Sequence, residues 1–285
     1  MIPAAFDYEA PTTVDAAVAL LAGAGEREVK VLAGGQSLIP VLRLRLSSPE
    51  LLVDLGGIAE LRGVRDDGDA IVIGAMTTHD DMTRDPLVRQ HALLLSLAAE
   101  TVADPQVRHR GTFGGSLAHA DPAGDMPAPA LALGATMVIA GPNGRRSVPA
   151  AEFFTDVFTT ALGHGELLVE VRVPKHTGWG AHYEKLSRTA QSWSIVAVAA
   201  AIRSEGGTIT QAAVGLTNMG LVPVRAAAVE RALVGQPATA EAINAAAAHA
   251  GEGAAPMADS NADEAFRSHL AQVLTGRAVM AAAGA

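Results

Sequence analysis

The chain has 285 residues, which suits two or three modest domains, and with 49% hydrophobic and 18% charged residues it has material for a core and no compositional sign of disorder. Its formal charge is −9 and no basic cluster is longer than Arg145-Arg146, which argues against nucleic acid or an anionic membrane surface as the main partner. It has no cysteine, so disulfides, cysteine-ligated iron–sulfur clusters and a thiol nucleophile are excluded within this chain.

The N-terminal run from Met1 to Asp7 lacks a basic region followed by an apolar one, so no signal peptide is expected. The longest apolar stretch, near residues 195–202, is too short to cross a bilayer, and a cytoplasmic location is the default expectation. Thr12 reads as a helix cap with Asp15 three residues on, and Val14, Val18 and Leu21 recur at helical spacing until Gly23 and Gly25. Residues 29–32 read as a short buried strand running into Ala33-Gly34-Gly35-Gln36-Ser37-Leu38. A helix over 38–46 with Arg43 and Arg45 outward, then a strand over 51–55, complete a β-α-β-like first subdomain, expected to span 1–57.

A hairpin is expected around Asp66-Asp67-Gly68-Asp69. Thr77-Thr78-His79-Asp80-Asp81 opens a helix, and Asp85-Pro86 caps another with Leu87, Leu94 and Leu97 on its apolar face. Residues 127–133 look helical, and 136–140 with 145–148 form a second hairpin around Gly141-Pro142-Asn143-Gly144. Residues 166–173 alternate, with Leu167, Val169, Val171 and Val173 on one face, and are expected to close a second subdomain over 58–175. Beyond Pro174, residues 194–203 and 208–217 read as an antiparallel pair across Glu205-Gly206-Gly207. Alanine-rich helices over 223–233, 240–248 and 263–283 then fill a smaller domain, 176–285.

The chemistry concentrates in Arg110-Gly111-Thr112-Phe113-Gly114-Gly115-Ser116-Leu117 and in the earlier Ala33-Gly34-Gly35-Gln36-Ser37-Leu38. Glycines leave the backbone bare, so that it can approach a bulky ligand and turn N–H groups toward it, while Thr112 and Ser116 add hydroxyls. Either loop alone reads as a tight turn; two with the same polar chemistry suggest jaws closing on one phosphate-bearing cofactor. There is no Gly-Lys-Ser/Thr phosphate loop, no G-x-G-x-x-G after the first strand, no His-Glu-x-x-His and no Gly-x-Ser-x-Gly elbow. His79, His109 and His119 lack metal-ligand spacing. The remaining reading is a cofactor protein without its own acid–base or nucleophilic set, and a flavin fits because the cofactor carries the redox chemistry.

These motifs resemble the FAD-binding medium subunits of the molybdenum hydroxylases, most similar in pattern to that of carbon monoxide dehydrogenase. The matching pieces are Pro3-Ala4-Ala5-Phe6-Asp7-Tyr8, Leu32 through Leu38, Asp54-Leu55, Ile73-Gly74-Ala75-Met76-Thr77-Thr78-His79 and Gly111 through Leu117. Asp121-Pro122 through Pro127, Gly165-Glu166-Leu167-Leu168, Tyr183-Glu184-Lys185-Leu186 and Gly215-Leu216-Thr217-Asn218 continue the match to cover essentially the whole chain. The resemblance implies an α+β fold: a vanillyl-alcohol-oxidase (PCMH)-type FAD-binding domain of two subdomains, followed by a smaller α/β domain.

By resemblance, Ala33, Gly34, Gly35, Gln36 and Ser37 wrap the FAD diphosphate, with Val31, Leu32 and Leu38 lining the groove. Thr112, Phe113, Gly114, Gly115 and Ser116 form the second loop against the cofactor. Asp125 makes a polar contact to FAD, Leu167 packs by adenine or flavin, and Lys185 sits by the isoalloxazine edge. A cation there would stabilise the reduced flavin; the bland alternative is an ordinary strand-edge lysine. Trp193 stands where the pattern has a tyrosine covering the flavin ring; tryptophan also stacks but offers no hydroxyl, and its bland alternative is a core aromatic. Gln36 replaces a histidine and Ser116 an asparagine, both keeping hydrogen-bonding ability. On this reading Gly114→Val is expected to harm FAD retention more than Asp125→Ala, by filling space the cofactor needs.

The implied role is electron transfer: electrons arrive from [2Fe-2S] clusters, rest on non-covalent FAD and leave to an outside acceptor. A chain without cysteine cannot hold the clusters or a cysteinyl-linked flavin. The expected partners are therefore a small iron–sulfur subunit and a large molybdenum subunit, as a dimer of heterotrimers, with contact to the inner face of the membrane only through that complex. Carbon monoxide is the first expectation for substrate, with purines, N-heterocycles and aldehydes open, and quinone, NAD or oxygen open as acceptor. A self-contained flavin oxidase and a scaffold that has lost its cofactor are the competing readings. The first would need a larger substrate domain, and the second is disfavoured by two intact glycine motifs.

Overall fold

The computed structural model describes residues 1–285. Near the N-terminus, β1 (Asp7–Glu9), β2 (Val29–Leu32) and β3 (Leu51–Asp54) form a parallel sheet in the order β1-β3-β2. Helix α1 (Val14–Ala22) is capped by Thr13, one residue later than expected, whose hydroxyl accepts from the Ala16 N–H at 3.2 Å. Its buried stripe of Val14, Ala17, Val18 and Leu21 packs on Leu51 and Val53 of the central strand. β2 lies at an edge and is half-buried along its length rather than buried. α2 (Leu38–Arg43) is shorter than expected because Arg45 takes a left-handed backbone, φ 57°.

The next sheet is antiparallel, in the order β4-β5-β10-β6-β7. Its strands are β4 (Val64–Asp67), β5 (Ala70–Gly74), β6 (Thr136–Gly141), β7 (Gly144–Pro149) and β10 (Leu167–Pro174). Between β5 and β6 run α3 (His79–Arg84), α4 (Pro86–His91), α5 (Leu93–Glu100), α6 (Pro105–Arg108), α7 (Phe113–His119) and α8 (Pro127–Ala132). The single helix expected after Asp85 is two, because Ala92 leaves the helical conformation (φ −143°, ψ 46°), and Val88 and Leu94 both reach the same core. Between β7 and β10 come α9 (Ala150–Phe153) and a small hairpin, β8 (Phe154–Asp156) with β9 (Thr159–Thr160).

β10 is last in sequence but central in this sheet. A bulge between Leu168 and Glu170 breaks its alternation. Leu167 and Val169 therefore face the core under the parallel sheet, while Val171 and Val173 face the main core, so the expected single apolar face is two.

The C-terminal sheet runs in chain order: β11 (Gly180–Leu186), β12 (Val196–Glu205), β13 (Thr208–Thr217) and β14 (Val224–Arg225). α10 (Ala227–Leu233), α11 (Ala240–Ala247) and α12 (Glu264–Ala283) cover one face, and α5 and α8 cover the other. Successive side chains on a strand point to opposite faces. Val196, Val198 and Ile202 thus lie under the helices, and Ala197, Ala199 and Ala201 lie against α5 and α8. Alanine on that face lets the sheet seat closely on the second unit.

Candidate functional site

The two glycine motifs meet backbone to backbone. A Cβ built on Gly34 would lie 2.2 Å from the Arg110 carbonyl oxygen and 2.7 Å from the Gly111 Cα, so only glycine permits this seam. Gly114 is needed for a different approach: its Cβ would meet the Ala75 Cα and carbonyl oxygen at 2.7 Å. Both close contacts are made by the protein itself, which corrects the expectation that these glycines leave room for a ligand.

The motifs differ in what they have left to offer. The second is not a loop but a capped helix: Thr112 precedes α7 and its hydroxyl accepts from the Gly115 N–H at 3.2 Å. The N–H groups of Phe113, Gly114 and Ser116 donate to Thr77, Ala75 and Thr112 carbonyls. Phe113 has its ring wholly buried in the main core. Ser116 is half-buried and its hydroxyl bonds no atom of the chain. In the first motif, by contrast, the N–H groups of Gly34, Gly35, Gln36, Ser37 and Leu38 donate to no atom of the chain. Gln36 is exposed and its amide folds back to the Gly34 carbonyl at 3.2 Å. Such a run of unspent donors beside a sheet edge is available to an anion. Val31, Leu32, Ala33 and Leu38 are half-buried around it.

A second constellation joins the middle unit to the C-terminal one. Asp125, just before α8, is 5% exposed. Its Oδ2 accepts from Lys185 Nζ at 2.7 Å, and its Oδ1 accepts from Tyr183 Oη at 2.9 Å and Ser194 Oγ at 2.8 Å. Lys185 also donates to the Thr101 carbonyl at 3.2 Å. Its side chain is 8% exposed, which sets aside the ordinary strand-edge lysine. The Asp125 carboxylate already holds three donors, so little of it is left for the direct cofactor contact expected of it. Burial pushes the Tyr183 phenol well above its usual range, with the Asp125 charge acting the same way, so it remains a donor.

Tyr183, Ser194 and Thr101 were not singled out from sequence. The spacing of Tyr183 and Lys185 puts both on one face of a strand, a signal that needed the strand to be recognised. Leu167 lies in the core under the parallel sheet, buried with Leu21 and Val53. Trp193 is 54% exposed, so it is not a core aromatic. It overhangs a cleft of about 270 Å³ lined also by Asp121, Ala123, Ser194, Asn218 and Asp259. Burial pushes the Asp121 carboxyl above its usual range.

His79 ends up beneath the seam. Its N–H donates to the Gly111 carbonyl at 3.0 Å, and its ring lies where a Cβ on Gly111 would come within 3.0 Å. The ring is buried, Nδ1 has no partner, and burial followed by the Arg108 charge pushes its pKa down to about 4.

Two family models divide the chain between them. The FAD binding domain in molybdopterin dehydrogenase matches residues 4–176, and the CO dehydrogenase flavoprotein C-terminal domain matches 181–282. The carbon monoxide dehydrogenase medium chain of Hydrogenophaga pseudoflava is 42% identical over 285 residues, covering 99% of this chain and 98% of its own. Among solved structures, reconstituted CO dehydrogenase from Oligotropha carboxidovorans superposes with a TM-score of 0.96 at 39% identity, over 100% of this chain and 99% of that one. Quinoline 2-oxidoreductase from Pseudomonas putida 86 does so with a TM-score of 0.94 at 34% identity, over the same shares.

Proposed function

Because this chain belongs to the family of FAD-binding medium chains of the molybdopterin dehydrogenases, we propose that it is the FAD-binding, electron-transferring subunit of a molybdenum hydroxylase complex. The observation that carries this reading is the row of five unspent N–H groups from Gly34 to Leu38, set beside the Gly34–Gly111 seam. A diphosphate needs such donors, and this chain supplies them from backbone without a basic cluster. Ser116 has a free hydroxyl in the second glycine motif, and Lys185 is a buried cation; both are assigned to the same cofactor on the strength of the family resemblance. When bound, FAD supplies the redox chemistry of this subunit. The chain's own residues grip the diphosphate, orient the ring and set the charge beside it.

With no cysteine, the chain cannot hold the iron–sulfur clusters that feed the flavin. We assign these to a small partner subunit and the molybdenum centre to a large one, assembled as a dimer of heterotrimers. No helix is long and apolar enough to cross a membrane. Carbon monoxide is the proposed substrate of the complex, on the strength of the 42% identity to the Hydrogenophaga chain.

The test is purification from the native host, with an absorption spectrum and a denaturing gel. Flavin and iron–sulfur bands with two further polypeptides, and carbon monoxide oxidation by the complex but not by the separated chain, are expected. Substrate turnover by the separated chain would overturn the electron-transfer reading in favour of a self-contained oxidase.

A further inference from the structure

We infer that Tyr183 and Ser194 are positioning residues that act through Asp125 to hold Lys185 for the cofactor, so that the C-terminal domain sets the reduction potential of the flavin. The inference rests on the reading that Lys185 faces the flavin ring.

An ammonium carries three N–H groups. Lys185 spends one on Asp125 and one on the Thr101 carbonyl, and the third has no acceptor in the chain although the side chain is buried. A buried cation with an unspent donor is costly unless a ligand takes it. What keeps that donor available is the state of its carboxylate partner. Asp125 Oδ1 is occupied by both hydroxyls, which fixes the rotation of the carboxylate and leaves only Oδ2 to Lys185. Without them the carboxylate is free to turn, offer both oxygens to the ammonium and draw it away from the ligand.

The two hydroxyls are themselves held firmly. Tyr183 and Lys185 stand two residues apart on β11, opposite Ala199 and Ala197 of β12, whose small side chains leave room for both. Tyr183 is buried, and its hydroxyl also lies 3.5 Å from Thr217 Oγ1. Ser194 is anchored through its backbone: Asn218 Nδ2 donates to the Ser194 carbonyl at 2.8 Å and to that of Ile195 at 3.2 Å. The buried Arg267 of α12 donates to the Ile195 carbonyl as well. Asn218 adopts φ 63° and its own N–H is tied to the Pro122 carbonyl at 2.9 Å, three residues before Asp125. The network thus spans both domains and ends at one lysine.

The experiment is a spectroelectrochemical titration of the flavin in the assembled complex, with FAD content measured on the same samples. Tyr183→Phe and Ser194→Ala are each expected to keep FAD and lower its midpoint potential. A tenfold loss of preference for the reduced over the oxidised cofactor corresponds to about 30 mV for a two-electron couple. Lys185→Gln should shift it further in the same direction, and Ser194→Thr, which keeps the hydroxyl, should restore the parent value. A shift in Lys185→Gln with none in the two hydroxyl variants would overturn the positioning role and leave the flavin-facing lysine standing. No shift in Lys185→Gln would overturn both. Equal loss of FAD from all three variants, with the remaining flavin at the parent potential, would reduce the network to holding the fold and overturn the inference.

Discussion

Gly34 and Gly111 meet across the seam between the parallel sheet and the middle unit, with no side chain between them: a Cβ on Gly34 would fall 2.7 Å from the Gly111 Cα. This contact brings the five free N–H groups of the first motif against the start of the second. Gly34→Ala must push the two backbones apart. It is expected to cost about 1–3 kcal/mol, as overpacking does, and to lower the FAD content of the assembled complex. Thermal unfolding and flavin absorbance relative to protein would check it; a variant with parent stability and parent FAD content would contradict the seam.

Gly114→Val and Asp125→Ala separate packing from charge. The valine would strike Ala75, whose Cβ would lie 2.5 Å from the new Cβ, and force α7 off the end of β5. Asp125→Ala leaves Lys185 buried without its partner, a loss of about 3–5 kcal/mol in comparable cases. For stability, the aspartate change is therefore expected to be at least as harmful as the glycine change, whereas the order expected for FAD retention is a separate measurement, made as flavin absorbance relative to protein. Asp125→Asn keeps the shape and should recover part of the stability. Chemical denaturation of the three variants gives the order directly.

His79 makes stability depend on pH. Its folded pKa of about 4 lies below the ordinary 6.5, so the unfolded chain binds the proton more readily. The contribution is fully present above 6.5, falls as pH drops through the window from 6.5 to about 4, and levels off below it. Across that window the loss amounts to about 3 kcal/mol. The melting temperature of the chain should fall between pH 7 and pH 4.5, and His79→Gln should flatten part of that fall. An unchanged slope in the variant would rule out His79 as its source.

Trp193 is exposed, so its truncation costs little packing. Trp193→Ala is expected to change stability by no more than about 0.5 kcal/mol. If it covers the flavin ring, the same variant should alter the flavin absorption and fluorescence of the complex, whereas Trp193→Tyr should retain them. A large stability loss with unaltered flavin spectra would point to a packing role instead.

What could be read along the chain was whatever is set by neighbours in sequence. The cap at Asp85, the hairpin turn at Gly68, the long strands β12 and β13 and the C-terminal helix α12 follow from local propensity and period, and each is present. The glycine motifs were legible as a pair, and their resemblance to a known family carried the cofactor. The 112–116 stretch was taken for a loop because glycine is a poor helix former, whereas it starts a helix pinned by Thr77 and Ala75.

Tertiary structure decided the rest. β1, three exposed residues with no pattern of their own, exists only because Leu51–Val53 offers it a ladder. β11 lacks clear alternation, so the strand that brings Tyr183 and Lys185 to Asp125 across 58 and 60 positions of sequence could not be seen. Which N–H groups are spent and which remain free is likewise a property of the packed chain. The sequence by itself determined the locally signalled elements, the family and the absence of any thiolate ligand, since these depend on residue identity and near neighbours. Only the fold decided that one glycine motif keeps a run of backbone N–H groups free while the other spends those of residues 113–116, and that a lysine of one domain is held by an aspartate of another. Those facts depend on which distant groups come within hydrogen-bond reach.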